Sequence, residues 1–232
     1  MHYCFDATPS YCASGNDERA IAKDQYPLFV FLDWLIGRYY APGGVFPGVL
    51  ESIDPWNEPN SPGSFSGTYL DDSASDLVVH ANRILRFLNF RCPDRLRDAD
   101  KLFLLTPSFT DISGVEPMRN YLSHAGAKNA DVFAFHAYGG DAKSGLYYDP
   151  MSAARYVSMA RGQMPGATIW MTEVGDSNPT KDKVVATCAS LKRLGIAKIT
   201  LFDWDGASVG DMALRDKLSL AEWNELYAVL TR

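Results

Sequence analysis

Short apolar runs alternate along the chain with longer segments whose apolar positions recur every three or four residues. The short runs are "HYCFDAT", "VLESIDPW", "KLFLLTP", "DVFAFHA", "ATIWMTE" and "KITLFDW". Each is rich in β-branched and aromatic residues and bounded by turn formers, which predicts a strand. The longer segments, 26–40, 75–90, 115–125, 150–162, 180–194 and 219–230, carry the helical period. Strand and helix therefore alternate six times.

That order predicts right-handed βαβ crossovers and a parallel sheet covered by helices. "KLFLL" and "DVFAF" are almost continuously apolar, as strands buried on both faces should be. Helix ends are marked as well. Ser73 with Asp76 three residues on forms a capping-box-like start, and Gly195 is placed to close the helix of "NPTKDKVVATCASLKRLG". With no repeat, linker or low-complexity tract, residues 1–232 are expected to form a single domain.

Composition narrows the function. At 47% hydrophobic and 22% charged residues the chain has the ordinary balance of a folded domain, and a net charge of −6 without a basic stripe argues against nucleic acid. No apolar run approaches the roughly 18 residues of a membrane span. The opening "MHYCFDATPS" has no basic and then apolar leader, so the chain is expected to be cytoplasmic or a processed or truncated secreted protein. Cys4, Cys12, Cys92 and Cys188 are too scattered for a disulfide scaffold or a Cys-x-x-Cys site and read as mostly reduced thiols. The histidines show no metal-ligand spacing, and neither metal nor cofactor is expected.

In a parallel α/β sheet the chemistry gathers at the carboxyl ends of the strands. Those ends here read "PSYCASG", "WNEPNSPGS", "TPSFTD", "HAYGGD", "TEVGDSN" and "DWDGAS". Two of them carry a glutamate, Glu58 and Glu173, separated by three strand intervals. In a closed barrel of about eight strands such positions face each other across the mouth. Paired carboxylates there suit glycosidic bond cleavage: one gives a proton to the leaving oxygen, and the other attacks or stabilises the anomeric carbon.

"WNEPN" followed by "HAY" and "TEVG" resembles clan A of the retaining glycoside hydrolases, in which Asn-Glu ends the fourth barrel strand and the nucleophilic Glu the seventh. "FDATPSYCAS" ahead of a long helix looks particularly like family 39 and its relatives. The resemblance implies a TIM-barrel fold of the (β/α)8 type and a carbohydrate substrate with a β-linkage. It makes Glu58 the general acid/base, Glu173 the nucleophile, and Asn57 the donor to the hydroxyl beside the anomeric carbon. The acid must hold its proton near neutral pH, which calls for burial beside rings such as Trp56; the nucleophile must stay ionised, with donors such as Tyr138. His136 and Tyr138 alternate on one strand and so share a face, with a core position for His136 an equal reading. Trp204 resembles the clan's aromatic platform for a sugar ring, or caps the core. Tyr11 stands where the family often has Trp. Asp203 and Asp205 flank Trp204, and alternation does not say which faces inward.

Two features depart from the family pattern. Matching "WNEPN" to the fourth strand makes "HYCFDAT" the third, so the six units correspond to units 3 to 8 and the barrel is expected to be incomplete. Open edges invite pairing with another chain, which points to a fragment of a longer enzyme, a homo-oligomer joined through those edges, or a smaller sheet. "IDPW" also stands where relatives carry "EIW", and Pro55, lacking an N–H, predicts a bulge or an early strand end just before Glu58. A catalytically silent barrel that binds carbohydrate or a partner chain is the main rival; no Gly-x-Ser-x-Gly elbow supports an esterase.

Overall fold

The computed structural model describes residues 26–60, 73–97, 100–111, 114–124, 126–139, 145–175, 180–202 and 217–230. Within these lie α1 (Tyr26–Tyr39), β1 (Ser52–Ile53), α2 (Ser73–Arg91), β2 (Phe103–Leu104), α3 (Glu116–Ser123), β3 (Val132–His136), α4 (Pro150–Gln163), β4 (Thr168–Val174), α5 (Lys181–Arg193), β5 (Lys198–Leu201) and α6 (Leu220–Leu230). A 3-10 turn, Gly126–Asn129, precedes β3. The strands "VLESIDPW" through "KITLFDW" thus fall where the pattern put them, and the six predicted helices are present. "HYCFDAT" lies outside the described residues. The fold is mixed α/β with parallel strands, and no complete barrel is seen among the described residues. Among them, too, no helix is long and apolar enough to cross a membrane.

The chain divides into two compact units, Met1–Phe109 with Glu116–Phe133, and Thr110–Val115 with Ala134–Arg232. In the first, Ala81, Ile84, Leu85, Leu88 and Cys92 repeat at helical spacing and give α2 a buried stripe. With Leu32, Leu35 and Ile36 of α1 and Ile53 and Leu104 of the strands, most of this stripe builds one core. Strands β1 and β2 pair in parallel, Ser52 with Phe103 and Ile53 with Leu104. A parallel bridge from Leu105 to Val132 carries the ladder on to the start of β3. This junction is clamped by a partly buried ion pair: Arg95 Nη2 donates to Asp131 Oδ1 and Oδ2 at 2.7 and 2.9 Å, and Asp131 Oδ2 also accepts the Leu104 N–H.

The second unit holds the three-stranded sheet in the order β3-β4-β5, with β4 and β5 parallel. All five residues of β3 are buried, the apolar Val132–Phe135 run as expected and His136 with it. The helices are capped by their own sequence. Asp149, just ahead of Pro150, accepts the N–H groups of Met151 and Ser152 and starts α4; Thr180 does the same for α5 through Lys183. Ser219 and Glu222 form a reciprocal capping box on α6. Gly195 at φ +83° closes α5 as expected: Ile196 N–H reaches Leu191 O and Gly195 N–H reaches Lys192 O, the two bonds of a Schellman motif. Ser73, expected just outside α2, is instead its first helical residue.

Candidate active site

The described candidate residues lie in both units, and each unit is taken in turn. In the first, the expected disturbance at Pro55 is present and has a definite form. Phe103 N–H donates to Glu51 O, Leu105 N–H to Ile53 O, and the next rung is Ser108 N–H to Trp56 O. The ladder steps by two residues and then by three on both strands. Register is kept while the phase slips by one, and Pro55, with no N–H to give, is the residue passed over. Asp54 Oδ1 accepts the Trp56 N–H at 2.8 Å and closes the small turn that spans it.

Past this slip, Asn57 bridges Ser108 and the Glu58 N–H donates to Ser108 O at 2.9 Å. Glu58 then adopts φ +44°, and among the described residues no other non-glycine residue has a positive φ. Its position before Pro59 makes this more unusual, since pre-proline residues favour extended backbone. Such conformations cost on the order of 1–3 kcal/mol and persist where the surroundings enforce them. Glu58 and Asn57 are half-buried, and Trp56 is buried beside them in sequence.

In the second unit, Glu173, Tyr138 and His136 are brought together. Tyr138 Oη donates to Glu173 Oε2 at 2.7 Å, and His136 Nδ1 lies 3.4 Å from the same oxygen. His136 is fully buried and Glu173 is 9% exposed. The Tyr138 ring meets His136 and Phe202 edge-on, each at 6.4 Å between centroids. Glu173 also sits at an irregularity. Between Met171 and Val174 strand β4 advances three residues while β5 advances two, from Ile199 to Leu201, so β4 carries one extra residue at Thr172–Glu173. A bulge of this kind turns a side chain out of the regular alternation. Ala137 N–H donates to Glu173 O, and Phe202 N–H to Val174 O, on either side of it. Gly175 follows immediately, and a Cβ there would lie 2.0 Å from Phe202 O.

Asp111, which sequence reasoning passed over, belongs to this cluster. It ends "TPSFTD", one of the strand ends, and its Oδ1 accepts the Tyr138 N–H at 3.2 Å. Burial pushes its carboxyl above the ordinary aspartate value, against the lowering effect of hydrogen bonds from Tyr138, its own amide and Ser152, with Asp149 adding repulsion. The adjacent Tyr147 and Tyr148 fit a substrate wall or a helix entry equally by sequence, and the structure buries both: Tyr147 N–H donates to Thr187 Oγ1 at 3.0 Å and Tyr148 Oη to Ser190 Oγ at 2.8 Å, both on α5. Trp204, Tyr11, Asp203 and Asp205 lie outside the described residues. Cys92 and Cys188 carry reduced thiols, and burial pushes that of Cys188 up to about 11.

The class these observations define is a mixed α/β fold of parallel strands with acidic residues at strand ends. A solved structure that the chain resembles is a glycoside hydrolase, the GH128 (subgroup VI) exo-beta-1,3-glucanase from Aureobasidium namibiae. The likeness has 16% sequence identity and a TM-score of 0.45, and covers 76% of this chain and 66% of that one. The chain therefore spans just under two thirds of that protein's length. A likeness this distant carries no functional assignment. No protein-family model matches the chain, and no curated protein matches it.

Proposed function

We propose that the protein is a retaining glycoside hydrolase of clan A type, most like family 39, acting on a β-linked glycoside from a TIM-barrel scaffold. The observation that carries this reading is the hydrogen bond from Tyr138 Oη to Glu173 Oε2 at the end of a strand, in the order "WNEPN", "HAY", "TEVG". A carboxylate held by a phenol is oriented in one position, which is what a nucleophile at an anomeric carbon needs.

The reaction follows from those roles. A carboxylate oxygen of Glu173 attacks the anomeric carbon as the bond to the leaving oxygen breaks, and Glu58 gives that oxygen its proton. A glycosyl ester on Glu173 results. The charge on Glu173 is then gone, so Glu58, now a carboxylate, takes a proton from water as the water oxygen attacks the same carbon and releases Glu173. Asn57 donates to the neighbouring sugar hydroxyl, and Trp204 and Tyr11 offer rings to the sugar face.

A second reading, a carbohydrate-binding protein without turnover, draws on the ladder slip at Asp54–Pro55 directly ahead of Glu58, since a displacement of about 1 Å can cost a hundredfold in rate. Hydrolysis of a panel of aryl β-glycosides followed by NMR separates the two. First-formed sugar in the β configuration is the expected result. The α anomer as first product excludes retention, and saturable sugar binding without hydrolysis selects the second reading.

A further inference from the structure

Tyr138 lies beyond the last residue of β3, and its phenol holds Glu173 at 2.7 Å. Its two backbone groups are engaged by residues on other segments. The N–H goes to Asp111 Oδ1 at 3.2 Å, and the C=O accepts the Asp149 N–H at 3.2 Å. Gly139, at φ +79°, turns the chain directly afterwards and bridges Tyr148. Asp111 is itself fixed. Tyr156, buried and stacked on Phe135 at 4.8 Å, directs its hydroxyl to Thr110 O and Gly114 O, each at 3.1 Å, which pins the segment on both sides of the aspartate.

We propose that Asp111 is a positioning residue: by accepting the Tyr138 N–H, its carboxylate sets the Tyr138 phenol on Glu173. The inference rests on the reading of Glu173 as the nucleophile for its purpose, and on the geometry of the second unit alone for its substance. Asp111 meets Tyr138 at the backbone N–H. It acts by fixing one backbone group of the residue that touches Glu173.

The test uses the full chain carrying 13Cζ-labelled tyrosine. The Tyr138 resonance is assigned by its loss in Tyr138→Phe, and the shift caused by losing the carboxylate acceptor is calibrated with Glu173→Gln. Asp111→Ala is expected to move the Tyr138 resonance toward its Glu173→Gln position, whereas Asp111→Asn, which keeps an oxygen acceptor for the N–H, is expected to leave it at the parent value. Where the parent turns over aryl glycosides, Asp111→Ala should lower kcat by about tenfold to a hundredfold with KM little changed, and Asp111→Asn should restore it. If Asp111→Ala fails to fold, Asp111→Glu displaces the acceptor by one methylene while keeping the charge, and should move the same resonance. An unmoved Tyr138 signal in a folded Asp111→Ala or Asp111→Glu, or an equal shift in Asp111→Asn, overturns the proposal. A parent with no turnover counts against the hydrolase reading and leaves the resonance test of Asp111 fully decisive.

Discussion

The two glutamates are held in contrasting ways. Glu173 lies in a buried strand, is displaced from regular alternation by a one-residue bulge, and has its carboxylate oriented by side chains, Tyr138 directly and His136 close by. Glu58 follows a ladder slip around a proline, is half-buried, and is aimed by its own backbone at φ +44°. Both stand where regular secondary structure gives way, which is how strand ends present a side chain that alternation alone would misdirect. The contrast suits the proposed roles. A nucleophile must hold one position against the anomeric carbon, while an acid that becomes a base must give a proton and then take one.

The largest effect expected is at the root of the first region. Asp131→Ala leaves Arg95 as an uncompensated buried charge and removes the acceptor for the Leu104 N–H, so about 3–5 kcal/mol of unfolding free energy should be lost. Urea denaturation of the purified protein reads it, and a loss below about 1 kcal/mol would mean that the clamp does not hold the β2–β3 junction. In the second region, Gly175→Ala drives a Cβ toward Phe202 O and should cost about 3 kcal/mol, at the upper end for overpacking. A neutral outcome by the same assay would show that the backbone after Glu173 is not tightly apposed to Phe202.

Smaller effects discriminate more finely. Glu58→Gly should be more stable than Glu58→Ala by about 1 kcal/mol, because only glycine takes the left-handed backbone without strain. The opposite order would remove the strained conformation from the account. For Asp111 the sign follows from its raised pKa. Between the ordinary aspartate value and the raised one, the unfolded chain has lost a proton that the folded chain keeps, so the parent loses stability as pH rises through that window. Asp111→Asn lacks this loss. Its stability relative to the parent should therefore increase from pH 3.5 to pH 7 by urea titration at each pH, and a flat difference contradicts the buried carboxylate.

Much of this was legible in the sequence because it depends on local period. The helices, the strand runs and Gly195 as a cap follow from spacing and backbone chemistry within a few residues. Pro55 announced a break, since a residue without an N–H cannot serve a ladder. The form of that break, a slip matched on both strands, depends on the partner strand and was not readable. The same holds for the bulge at Glu173, which exists only relative to β5. Asp111 was visible as an acid at a strand end, but its partner is a backbone N–H that only the folded chain brings near. Tyr147 and Tyr148 were ambiguous for a related reason: burial against α5 is a tertiary fact that two adjacent aromatics do not encode.

The central claim is that Glu173 is the nucleophile, and azide rescue of Glu173→Ala on an aryl β-glycoside with a good leaving group tests it most directly. Rate lost in the variant and restored by azide, with an α-glycosyl azide as product, is the predicted result. A folded Glu173→Ala that hydrolyses as the parent does, or one whose lost rate azide leaves unrestored without glycosyl azide, would contradict it.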